Sequence, residues 1–185
     1  SLRGVAIQNS VHLNSIKPSC LLPLAFCLPT QVNSETKPDS YMNNQLPEVA
    51  IVILYQDHKY LMQLRDNIPN IAAAGCWGLF GGHLEPGETP EIALVREVIE
   101  EIGYELTSFA KFGIYADEKV IRHVFQAPLL VGLEQLVLNE GWDMGFLTPK
   151  DIHQGSCYSA IAGEVRPLGI PHQRIMVDFI NRAND

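Results

Sequence analysis

Three glutamates, Glu97, Glu100 and Glu101, stand close together in the segment Arg96-Glu-Val-Ile-Glu-Glu-Ile-Gly103. On a helix turning about 100° per residue they fall within a ~100° arc on one side. Like charges at that spacing repel, and a cation bound among them turns the repulsion into a site. Carboxylate oxygens are hard donors that suit Mg²⁺ or Mn²⁺. Ahead of the helix runs a Gly/Pro-rich loop, Gly81-Gly-His-Leu-Glu-Pro-Gly-Glu88. Its paired glycines allow backbone to approach a ligand closely or to take positive φ.

The loop and the helix share one pattern, G-x5-E-x7-R-E-U-x-E-E-x-G-U, where U is apolar. Gly82, Glu88, Arg96, Glu97, Val98, Glu100, Glu101 and Gly103 occupy its fixed positions, and Tyr104 stands in the last apolar slot. Seven fixed residues coincide by chance about once in 10⁸ windows, which sets aside an incidental Glu-rich helix face. This resembles the Nudix box, the signature of hydrolases acting on nucleoside diphosphates linked to another moiety. The resemblance implies an α/β fold, an α/β/α sandwich built on a mixed sheet. It also implies a pyrophosphohydrolase in which water attacks a phosphorus atom of a diphosphate.

By the same resemblance Glu97 and Glu101 are metal ligands, and Glu100 is a ligand or catalytic base beside them. The Gly82 carbonyl is a further ligand, and Glu88 and Arg96 form a structural ion pair that fixes loop against helix. An additional acid from outside the box is expected; Glu140, in Leu138-Asn-Glu-Gly-Trp142, is the first candidate and Glu118 the second.

The helix must begin near Pro90, with Thr89 as N-cap and Glu91 in the first turn. Leu94, Val95, Val98 and Ile102 give it an apolar stripe, and Gly103 a stop. Upstream, Val49–Tyr55 and Lys59–Arg65 read as strands turned by Gln56-Asp57-His58, Asp66–Cys76 as a loop, and Trp77–Phe80 as a short strand. Downstream, 105–115 and 119–131 read as an antiparallel pair. Leu136–Leu138 and Gly145–Leu147 read as short strands, Thr148–Ile152 as a capped helical turn, and Pro171–Asn181 as a terminal helix.

Residues 1–46 read as an N-terminal extension and linker, and 47–185 as the hydrolase domain. The apolar run Cys20–Pro29 is too short for a membrane span and is broken by Pro23. It is read as packing on the domain or on a second copy in a homodimer. The 185 residues carry a net charge of −8 and a pI near 5.2, which opposes binding to duplex nucleic acid through phosphate neutralisation. Four cysteines without C-x-x-C spacing argue against zinc or a disulfide framework and for a reducing, cytoplasmic setting. A Cys20–Cys27 bridge is the alternative in an oxidising compartment.

The partner expected is a small nucleotide, a nucleoside diphosphate sugar or a nucleoside triphosphate. Arg65, Phe80 and His83 are its candidate contacts. Arg122 is a further candidate for phosphate, and Tyr55, Phe125 and Trp142 for stacking on a base, against the plainer assignment of aromatics to the core. Many relatives that sanitise nucleoside triphosphates carry proline before the Gly-Gly pair. Phe80 stands there instead, which weighs against an oxidised-purine triphosphatase. The alternatives are a Nudix-fold sensor that binds nucleotide without turnover, and an allylic diphosphate isomerase, for which Cys76 would have to reach the pocket.

Overall fold

The computed structural model describes residues 46–183. The expectations for the apolar run, the Cys20–Cys27 pair and a dimer formed by the extension all fall on residues outside that range.

The chain opens with β1 (Glu48–Gln56) and β2 (Lys59–Leu64), followed by β3 (Trp77–Gly78) and β4 (Phe80–His83). After α1 (Pro90–Ile102) come β5 (Ala110–Ala116), β6 (Ile121–Pro128) and β7 (Asp143–Leu147). The series ends with α2 (Pro149–Gln154), β8 (Ser156–Ser159), β9 (Glu164–Pro167) and α3 (Ile170–Ala183). Seven strands form one sheet in the order β3-β2-β1-β6-β5, with β4 against β1 and β7 against β2. The β1–β6 pair is parallel and the other pairs are antiparallel, so the sheet is mixed.

Alternation along β1 decides the two cores. Ala50, Val52 and Leu54 face α1, packing with Leu94, Val98, Ile102 and Phe125. Ile51 and Ile53 face the other way, toward Ile152 of α2 and Ile175, Met176 and Ile180 of α3. A strand buried on both faces reads as a continuous apolar run, which is how Ala50–Leu54 reads. The result is the expected α/β/α sandwich.

The turn after β1 is a two-residue hairpin in which Asp57 and His58 both take positive φ, 48° and 58°, the mirror-image turn that suits twisted strands. The N-cap of α1 is Thr89, whose hydroxyl accepts from the Ile92 N–H, and Gly103 closes it at φ 64°. Two sequence expectations need correction, and one hairpin was not anticipated. Leu136–Leu138 is not a strand: it follows a 3₁₀ turn (Leu133–Gln135), and its backbone bonds run to the end of α1, Val137 N–H to Ile102 O. Trp77–Phe80 is not one strand, because Leu79 separates β3, on β2, from β4, on β1. The β8–β9 hairpin had no expectation at all; its strands are short, and Gly163, at φ 71°, marks its turn.

Candidate active site

Arg96 organises the box. Its Nε and NH2 grip the two Glu88 oxygens at 2.9 Å each, a fork matched to a carboxylate. NH2 also donates to the His83 carbonyl at 2.9 Å, and NH1 to Glu97 at 2.8 Å and Glu100 at 3.1 Å. The Arg96 hydrogen bonds, joined by the Glu85 N–H, hold the Glu88 carboxyl down at about 2. Loop and helix are thereby stapled at both ends of the guanidinium.

The three carboxylates do not share one environment. Glu100 is exposed on the outer side of α1, paired with Arg96, while its backbone carbonyl accepts from Asn139. Glu97 lies over Gly82: a Cβ at residue 82 would sit 2.5 Å from all three carboxylate atoms. Glu101 is only 4% exposed. It accepts from Gln63 Nε2 at 2.8 Å and from the Gly81 N–H at 2.7 Å. Burial raises its pKa to about 7, the two donors oppose the rise, and the charges of Glu97 and Glu140 add to it. Gly81 itself sits at φ 123°, where a Cβ would meet the Ala50 carbonyl oxygen at 2.1 Å.

Glu97, Glu101 and Glu140 border one cavity of about 1100 Å³ with Gly82, His83, Arg65 and Arg122. Its walls also include Val49, Ile51, Leu79 and the first turn of α3, and Glu118 and Lys119 come from the β5–β6 turn. Glu140 makes no hydrogen bond or ion pair with another described residue. Arg65 donates through Nε to the Ala72 carbonyl, and Arg122 pairs with Asp117 at 2.7 Å.

Of the candidate site residues, Gly82, Glu97, Glu101, Glu140, His83 and Arg65 line the cavity and Glu100 does not. The expectation for Phe80 is corrected. Its ring is fully buried in the core beneath α1, because residue 80 faces the same side as Val52. Phe125 is buried likewise, Tyr55 packs on Phe179, and Trp142 lies against Arg166. Among the described residues no aromatic carbocycle or indole lines the cavity. Cys76 is not among its lining residues either, which removes the support for an isomerase. Gln63 and His172 were missed. A glutamine inside the apolar strand Tyr60–Leu64 was the one available signal; nothing local marks His172.

Whether these residues fit a divalent cation is answered by the donor set. Oxygen donors of Glu97, Glu101 and Glu140 line the cavity, and among the described residues Glu101 has no cationic partner. The mutual repulsion of Glu97, Glu101 and Glu140 is what a cation relieves. The bare Cα of Gly82 leaves the Glu97 carboxylate room on the loop. Among the described residues no three such side chains close into a ligand cage, since Glu97 and Glu100 reach back to Arg96. The residues fit an open site of oxygen donors.

The family model for the NUDIX domain matches residues 45–156. A Bacillus subtilis (strain 168) protein provisionally named an 8-oxo-dGTP diphosphatase is 36% identical, covering 73% of this chain and 80% of its own. An "ADP-ribose pyrophosphatase" of Methanocaldococcus jannaschii is 41% identical, covering 75% and 76%. Among solved structures, MutT described for Aliivibrio salmonicida and Vibrio cholerae superposes with a TM-score of 0.58 at 19% identity, over 75% of this chain and 99% of that one. The fold is thus a Nudix fold and the box a complete Nudix box. The chain belongs to the NUDIX domain family, as a hydrolase of the pyrophosphohydrolase class. Among the described residues no helix is long and apolar enough to cross a membrane.

Proposed function

We propose that the protein catalyses metal-dependent hydrolysis of a phosphoanhydride bond in a small nucleoside diphosphate derivative, either a nucleoside diphosphate sugar or a nucleoside triphosphate. The observation that carries this reading is the convergence of Glu97, Glu101 and Glu140 on one cavity that Arg65 and Arg122 also border. Relatives named for 8-oxo-dGTP and for ADP-ribose share the diphosphate and differ in what it carries, so they support the class of reaction.

Glu97 and Glu101 would hold Mg²⁺ or Mn²⁺, with the Gly82 carbonyl and Glu100 as further candidates once Glu100 leaves Arg96. When bound, the ion polarises phosphoryl oxygens and lowers the pKa of a water. Glu140, unpaired and beside Glu101, is positioned to accept a proton from the attacking water. Arg65 and Arg122 meet phosphate charge, and His83 borders the same space. Arg96 and Glu88 keep the loop in register and touch no substrate.

The experiment is turnover with Mg²⁺ against a panel of ADP-ribose, UDP-glucose, CTP, dGTP and 8-oxo-dGTP, with products identified. Release of nucleoside monophosphate that stops with chelator and returns with Mg²⁺ is the expected result. Tight nucleotide binding with no product from any member would instead make the chain a sensor module.

A further inference from the structure

We propose that His172 is a specificity-determining hydrogen-bond donor whose Nε2–H reads an acceptor on the base of the bound nucleotide, a carbonyl oxygen or an unprotonated ring nitrogen. The proposal deepens the hydrolase reading and rests on it for the nature of the ligand.

His172 lies in the first turn of α3 and lines the cavity. Its Nδ1 accepts from the Leu79 N–H at 2.9 Å. A nitrogen that accepts from a backbone N–H carries no proton, so in the neutral ring the proton sits on Nε2. One turn earlier, the Gly169 N–H donates to the Trp77 carbonyl at 2.9 Å. These two bonds pin the start of α3 along Trp77–Leu79. The ring slots between two glycines: a Cβ at Gly78 would lie 3.6 Å from Nδ1 and Cε1, and one at Gly169 3.4 Å from Cδ2. The ring thus lies beside both glycines, and the Leu79 N–H sets its orientation.

Nε2 has no partner among the described residues, yet it is not sealed. The one buried, unpartnered side-chain nitrogen or oxygen among them is Nδ1 of His123, on another part of the sheet. His172 is one of the residues lining the cavity. Burial, then the charges of Arg122 and Arg65, lower its pKa to about 4, so the ring stays a neutral donor at physiological pH.

Leu79 is two residues from Gly81, whose N–H holds Glu101. Two residues span at most ~7 Å, which keeps the His172 and Glu101 side chains within ~13 Å of each other. A nucleotide whose diphosphate meets the carboxylates can therefore bring its base to His172. Aliphatic neighbours Leu79, Ile170 and Pro171 offer apolar contact to a ring. Among the described residues the other side-chain donors of the cavity are charged, apart from His83, whose imidazole makes no hydrogen bond there that would fix its tautomer.

The test is nitrogen NMR on protein carrying ¹⁵N-histidine, titrated with ADP, GDP, CDP and UDP in MgCl₂, together with kinetics of two variants. Free protein should show His172 protonated on Nε2, and at least one nucleotide should shift that nitrogen. His172→Leu should weaken binding of that nucleotide roughly tenfold, seen in the titration and as a raised KM, with kcat within about threefold. His172→Gln should restore most of the affinity, because an amide can accept from Leu79 and donate to the base at once. An Nε2 signal unmoved by all four nucleotides overturns the proposal, as does equal affinity in His172→Leu. Turnover with an unmoved Nε2 sinks the proposal and spares the hydrolase reading; a moved Nε2 without turnover of any substrate does the reverse. If His172→Leu fails to fold, the wild-type titration and His172→Gln still decide.

Discussion

The carboxylate of Glu97 occupies the volume that a side chain on Gly82 would need. All three of its terminal atoms lie 2.5 Å from the position of a Cβ there. Gly82 does not take positive φ, so alanine meets no backbone obstacle, and the atoms it would displace end a flexible side chain. Gly82→Ala should therefore keep stability within about 1 kcal/mol of wild type. By pushing Glu97 off the loop it should lower kcat on the order of 10²-fold. Thermal unfolding alongside steady-state kinetics checks both halves.

Its neighbour behaves oppositely. A Cβ on Gly81 would lie 2.1 Å from the Ala50 carbonyl and 2.8 Å from Ile51 Cα, at a φ of 123°. Backbone presses on backbone inside the β1–β4 pair, where neither side can yield. Gly81→Ala should cost about 3 kcal/mol or more, measured as a shifted denaturant midpoint or as insoluble expression.

Glu101 makes metal-free stability depend on pH. Its folded pKa is about 7, above the ordinary carboxyl value, so between roughly pH 4.5 and 7 the folded state binds more protons than the unfolded chain. Stability from this group is full below that window and declines as pH rises through it, by up to about 3 kcal/mol at 1.36 kcal/mol per unit. Urea unfolding of chelated protein across pH 4.5–8 should show the slope, and Glu101→Gln should flatten it. Added Mg²⁺ should stabilise more at pH 8 than at pH 5.5, because it binds the ionised carboxylate.

Arg96→Lys keeps the charge and loses the fork. Lysine cannot hold both Glu88 oxygens, the His83 carbonyl and Glu97 together, so the loop loses its register on α1. Activity or metal affinity should fall by about 10–100-fold, with KM for nucleotide changing less than the Mg²⁺ requirement. A near-wild-type Arg96→Lys beside a large loss in Arg96→Met in a metal titration would confine the role of Arg96 to charge.

Two loop glutamates reach the cavity, and they should separate kinetically. Glu140 couples electrostatically to Glu101, and Glu118 sits in the β5–β6 turn. Glu140→Gln, measured at saturating Mg²⁺, should lower kcat by about 10²-fold or more. Glu118→Gln should stay within about threefold. Near-normal turnover in Glu140→Gln removes it from the mechanism.

What the sequence by itself determined was local. The box is contiguous, so capping by Thr89 and Gly103 and the apolar face of α1 follow from short-range spacing and geometry, while the Glu88–Arg96 pair was what the resemblance implied. The alternating faces of β1 followed from an apolar run bounded by a turn. Nothing local distinguishes Glu97, Glu100 and Glu101, however. Tertiary structure divides them, by putting Gln63 and the Gly81 N–H against Glu101 and leaving Glu100 outside the cavity with Arg96. It likewise sends Phe80 into the core and brings His172, far along the chain, to Leu79. Those outcomes depend on strand register and on where α3 docks, and both are decided by which distant faces bury one another.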